Sequence, residues 1–152
     1  MSYKMKMALP ILGMAFVFGM AAISVVNSGV EEVDHPLPAS ISRLADVKVI
    51  EVRDSGEQVV LSGNFSDPVT LGNEVKRKAA LTGTSVDPDA AGRAEIEVET
   101  KNDVTEQELE LDVERLAPGG TFKLYLDGQE AASFTTNHEG RAEVEVSDEP
   151  SK

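Results

Sequence analysis

Thr121-Phe122-Lys123-Leu124-Tyr125-Leu126, then Asp127-Gly128, then Gln129-Glu130-Ala131-Ala132-Ser133-Phe134-Thr135-Thr136 decides the fold class. Phe122, Leu124 and Leu126 alternate with Thr121, Lys123 and Tyr125, the period of two expected of a strand with one buried face. Asp-Gly accepts the positive φ angles of a type I′ turn, whose twist matches the strands it joins. The stretch therefore predicts a β-hairpin.

The same period extends outward from it. Ala94, Ile96 and Val98 alternate with Glu95, Glu97 and Glu99; Leu109, Leu111 and Val113 alternate with Glu108, Glu110, Asp112 and Glu114. Glu and Leu are good helix formers, but strict alternation and the stop at Pro118-Gly119-Gly120 favour a strand here. Further strands are predicted over 47–53, 58–63, 69–71, 78–84 and 141–146. One buried and one wet face is the habit of antiparallel sheets. The expectation is an all-β fold: an antiparallel β-sandwich of about seven or eight strands, immunoglobulin-like or Greek-key. Gly92-Arg93-Ala94-Glu95-Ile96-Glu97-Val98-Glu99 nearly recurs at 140–147. A duplicated hairpin and convergence on an easy strand sequence both account for that.

The chain's 152 residues carry a formal net charge of −13. Residues 7–30 contain no charge, follow Lys4 and Lys6, and precede Glu31-Glu32-Val33-Asp34. Positive charge, a long apolar run and then acids are the order of an exported or N-terminally anchored chain. The apolar core over 7–26 is long for a cleavable leader and close to the ~20 residues that span a bilayer. Small residues at Ala22, Ser24, Val26 and Ser28 nevertheless offer cleavage positions, so signal peptide and membrane anchor both stand for 1–28. Residues 29–45, with Pro36 and Pro38 and no clear period, read as a linker. The β domain is expected over 46–148, and a short tail over 149–152.

Without the two leader lysines the net charge falls from −13 to −15, with basic residues scattered among 27 acids. Nucleic acid is excluded as a partner on that balance, since binding it requires basic groups to neutralise phosphates. No cysteine is present, which excludes disulfides and thiolate metal sites.

The stretch Lys78-Ala79-Ala80-Leu81-Thr82-Gly83-Thr84, continuing through 87–98 and then Leu109 to Leu116, resembles the opening of the CHRD domain, an exported all-β module. Small exported bacterial β domains of unknown function are similar in the same way. The resemblance covers about a quarter of the chain. CHRD members continue into a histidine-containing segment, whereas Leu116 here is followed by Ala117-Pro118-Gly119-Gly120-Thr121, so it implies no site residue.

No catalytic residues are assigned. A Ser-His-Asp arrangement would have to use His35, in the expected linker, or His138, in a turn, and no Gly-x-Ser-x-Gly elbow exists. Calcium takes oxygen ligands, and Asp87 with Asp89 and Asn102 with Asp103 are the candidate metal residues, although each pair also suits an ordinary turn. If the strands bearing Glu95, Glu97, Glu99, Glu108, Glu110 and Asp112 pair as consecutive hairpin arms, carboxylates lie opposite one another, and opposed like charges destabilise a sheet. A divalent cation or a basic protein partner would offset this, and a simply solvated face is the alternative. The expected function is a non-enzymatic exported module with a binding or structural role at the cell envelope or outside the cell. A calcium-stabilised adhesion-type module and a small hydrolase built on His138 are the alternatives.

Overall fold

The computed structural model describes residues 30–148. The strands are β1 (Glu32–Pro36), β2 (Val49–Arg53), β3 (Val59–Asn64), β4 (Val69–Leu71), β5 (Glu74–Gly83), β6 (Ala91–Lys101), β7 (Val104–Glu114), β8 (Thr121–Leu126), β9 (Gln129–Thr135) and β10 (Ala142–Ser147). A 3-10 turn at Leu44–Asp46 is the one helical element among the described residues. The segment over 1–28 lies outside them. No helix among the described residues is long and apolar enough to cross a membrane.

All ten strands belong to one sheet in the order β9-β8-β2-β3-β5-β6-β7-β10-β1, with β4 pairing β5 to the side. The sheet curls until it is nearly closed into a barrel. The all-β expectation is met. The expectation of two packed sheets with seven or eight strands is replaced by a single ten-stranded sheet. Alternation reports that one face is buried; it is equally satisfied by two sheets facing each other or by one sheet wrapped around its own core.

The inward face carries Ile50, Val52, Leu61, Ile96, Leu109, Leu111, Leu124, Val144 and Val146, all essentially inaccessible. Each comes from the apolar half of an alternating strand. Arg77 is the exception on this face. Its guanidinium is buried and donates to the carbonyls of Ser66, Ala45 and Val47, and it lies 5.8 Å from the Phe65 ring centroid. It thereby ties the 3-10 turn and the β3–β4 connection to the sheet.

Residues 29–45 are not only a linker. β1 adds parallel to β10, Leu37 N donates to the Ser147 carbonyl, and Ile41 and Leu44 are buried. No period revealed this, because β1 is held through its backbone while most of its side chains remain exposed. The near-repeat falls on β6 and β10, which flank β7 on either side, both antiparallel to it. The hairpins around the two copies differ, however: β5 pairs β6, whereas β9 and β10 lie near opposite ends of the sheet path.

The Asp127-Gly128 hairpin forms as expected, with φ of 48° and 81°. Tertiary structure gives Asp127 a second task. Its Oδ1 accepts from the backbone N–H groups of Lys48 and Val49 at 3.0 and 2.9 Å, capping the start of β2. Asp127→Ala is expected to cost about 2 kcal/mol in urea unfolding, from two orphaned donors and a left-handed alanine. Asp127→Asn, which keeps an acceptor and tolerates that conformation, is expected to lose less than half as much.

Candidate acidic site

The face of β5, β6, β7, β10 and β1 that points away from the core is built from the polar half of the same alternation. Register sets its chemistry. One row runs Lys78, Glu95, Glu110, Glu145, Asp34 across five strands, each residue directly opposite the next. The next begins Lys76, Glu97, Glu108. On the other side, Arg93, Asp112, Glu143 and Glu32 form a third. Carboxylates therefore stand opposite one another across three consecutive strand pairs, where like charges are unfavourable.

These groups are not a solvated fringe. Glu95 and Glu97 are each only 6% exposed, and Glu108, Glu110, Asp112 and Glu145 are half-buried. Each sits in mid-sheet with same-face neighbours on both adjoining strands. Basic side chains reach one flank: Lys76 Nζ is 3.2 Å from Glu97, Lys78 Nζ 3.5 Å from Glu95 and Arg93 Nε 3.3 Å from Asp112. Glu95 Oε1 and Glu108 Oε1 are buried without a hydrogen-bond partner.

Desolvation together with mutual repulsion moves these carboxyls far from the usual range. Burial, reinforced by Glu145 and Glu110, pushes Glu108 up to about 9. Burial with Glu32, Glu145 and Asp112 pushes Glu110 up to about 8. Glu97 is raised to about 7 by burial and by Glu74, against the pull of Lys76. Glu32 is raised to about 7 by burial and then by Glu145, Asp34 and Glu143. Burial also raises Asp112, Glu143 and Glu145.

At the β7–β10–β1 end of this face, Glu32, Glu110 and Glu145 each direct a carboxylate oxygen to within 4.8 Å of the others. This trio was hidden from the sequence. Its members are 35 or more positions apart, and Glu32 belongs to a segment read as linker. The alternating acids of β7 were the available signal.

The candidate calcium residues are distributed differently. Asp87 and Asp89 lie in the β5–β6 connection, beside an open cleft of about 500 Å³ that Asp89 lines together with Thr82, Pro88 and Arg115. Asn102 and Asp103 form the β6–β7 turn, at φ of 50° and 65°. The two pairs thus stand at opposite ends of the eleven-residue β6, roughly 33 Å apart at 3.3 Å per residue, and cannot share an ion. His138 is exposed in the β9–β10 turn, with Nε2 3.6 Å from Glu139. His35 lies on β1, its Nε2 buried without a hydrogen-bond partner.

Comparison of the chain with protein-family models, with curated proteins and with solved structures gave no match.

Proposed function

We propose that the chain is an exported, non-enzymatic β module, carried on its N-terminal segment or released from it, whose working surface is the acidic face. Its place of action is the periplasm, the cell surface or the exterior, and its ligand is cationic. Support for export comes from the order of charge and apolarity over 1–34. Support for the working surface comes from one observation: carboxylates opposed across three consecutive strand pairs and partly withdrawn from water, an arrangement that costs stability. A sheet selected for stability alone has cheaper residues for these positions, such as threonine.

Both parts are open to test with the full chain. Expressed with a C-terminal tag in a bacterial host, it is expected in the envelope or secreted fractions, digestible by protease added outside the inner membrane. Recovery of protected protein in the cytosol would overturn the export reading. For the surface, salt-sensitive binding to immobilised polylysine at pH 9, where Glu97 and Glu110 are ionised and Glu108 is partly so, is expected to fall at least fivefold in Glu97→Gln/Glu108→Gln/Glu110→Gln. It should change less than twofold in Asp67→Asn/Glu130→Gln/Glu139→Gln, which removes the same charge elsewhere. Equal losses in the two triple variants would reduce the face to a contribution to net charge.

A further inference from the structure

A strand at the edge of a sheet offers unpaired backbone N–H and C=O groups to any other extended chain, and folded proteins commonly guard such edges with charge. β1 and β9 end the sheet path and follow that rule, with Glu32 and Asp34 on the first and Glu130 on the second. β4 does not. It is Val69-Thr70-Leu71, carries no charge, and pairs β5 along one side. No strand among the described residues pairs its other side.

Its side chains are as open as its backbone. Val69 stands opposite Lys76 and Leu71 opposite Glu74, so both apolar groups share the outer face with the carboxylates. They are 56% and 57% exposed. Single exposed apolar residues are ordinary, but two neighbours along one unpaired edge make a strip that a partner can cover. Gly72, at φ of 65°, turns the chain directly into β5, so β4 is one arm of a tight hairpin and is already extended. Little ordering is left for a partner to impose on it.

An added strand would meet negative charge. The row running inward from Leu71 is Glu74, Glu99, Glu106, and exposed Asp67 lies two residues before Val69. Lys76 is 3.8 Å from Glu74 and Lys101 is 2.7 Å from Glu99, so four carboxylates are set against two ammonium groups. A second copy of the chain would bring the same acids and another formal −13 to the joint. A basic segment is attracted where a second copy is repelled.

We propose that β4 is a strand-addition site for an extended cationic segment of another protein, with apolar side chains at alternate positions against Val69 and Leu71 and lysine or arginine on the flanks. The inference rests on the acidic face being the working surface and names the partner class that docks at its edge. Three residues of ladder extend only about 10 Å, so binding is weak and salt-sensitive, and the flanking charges select the partner.

The test uses the full chain, in detergent where its N-terminal segment requires it, and the labelled peptide Lys-Lys-Val-Thr-Val-Thr-Val-Lys-Lys, followed by fluorescence anisotropy at pH 8 and fixed ionic strength. Replacing the peptide's lysines with glutamates is expected to weaken binding at least tenfold. Replacing its central valine with proline, which keeps the charge and breaks the ladder, should weaken it at least fivefold. With peptide bound, amide exchange in 69–71 should slow at least fivefold. Val69→Thr/Leu71→Thr, at two exposed positions that the fold does not need, is expected to lose at least fivefold in peptide affinity while polylysine binding changes less than twofold. Peptide binding that survives this variant, that leaves exchange in 69–71 unaltered, or that is absent from the wild type would overturn the site. A concentration-dependent dimer in sedimentation, abolished by the same variant, would assign the edge to a second copy and overturn the cationic occupant. The two readings fail separately, since the polylysine comparison leaves β4 intact and the threonine variant leaves the charge of the face unchanged.

Discussion

In chelator, the melting temperature is expected to be highest near pH 5 and to fall by about 10 °C or more by pH 9, the reverse of the usual acid-sensitive domain. The sign follows from proton counts. Glu108, Glu110, Glu97 and Glu32 hold their protons up to about 9, 8, 7 and 7 in the folded chain. Unfolded, a glutamate ionises near pH ~4.3. Between those limits the folded state binds more protons, so unfolding free energy decreases as pH rises. Stability from these groups is fully present below the unfolded value and is lost progressively as each folded value is passed. One displaced pKa unit corresponds to about 1.4 kcal/mol, so Glu97, Glu108 and Glu110 together amount to several kcal/mol, while Glu32, exposed on β1, adds little. For a domain of this size, 1 kcal/mol moves the melt by roughly 3–6 °C.

Glu57 works in the opposite direction. Its hydrogen bonds from Tyr125 and Lys123 hold it below the ordinary range, so that contribution is lost in acid. It is exposed and offsets little. Glu108→Gln/Glu110→Gln is expected to flatten the decline above pH 6 and to raise the melt at pH 8, with little effect at pH 5. A melt that instead climbs from pH 5 to pH 8 in chelator would mean that the opposed carboxylates are compensated within the fold.

Gly140→Ala is expected to be the most damaging single methyl in the domain. Gly140 has φ of +76°, and a Cβ there would stand 2.1 Å from the Leu116 carbonyl oxygen and 3.1 Å from its carbon and nitrogen. All three are backbone atoms, and Leu116 is buried and donates its N–H to the Gly140 carbonyl. Neither partner can yield without breaking the bond that joins the end of β7 to the start of β10. The left-handed penalty alone is about 1 kcal/mol, and overlap with rigid backbone adds several more. A loss of at least 3 kcal/mol, or failure to recover soluble protein, is the expected outcome. Gly72→Ala is the control. Its φ is +65°, but nothing lies within 4 Å of the added Cβ, so a cost near 1 kcal/mol is expected. Equal costs at the two positions would mean that backbone conformation, and not the approach of Leu116, sets the requirement at Gly140.

What residues 94–99, 109–114 and 121–136 could determine by themselves was local. Alternation with period two is a property of one strand, so strand identity, the inward residues and the Asp127-Gly128 turn all followed from neighbours in sequence. The acidic character of the outward face followed too, because it is the complementary half of the same pattern. Whether the buried faces met as two sheets or as one curled sheet did not follow, since that depends on which strands pair at long range. β3 joins β5 through only two residue pairs, Leu61 with Gly83 and Ser62 with Thr82, and this narrow bridge makes the sheet continuous. β1 was invisible for a related reason: backbone hydrogen bonds hold it, and these leave no mark on residue type. The trio of Glu32, Glu110 and Glu145 needed both β1's docking and the β7–β10 register, so tertiary structure alone could bring it together. A carboxylate's burial and its neighbours' charge likewise depend on distances across strands, which is why alternating glutamates suggested a solvated face and the folded sheet withdrew them from water.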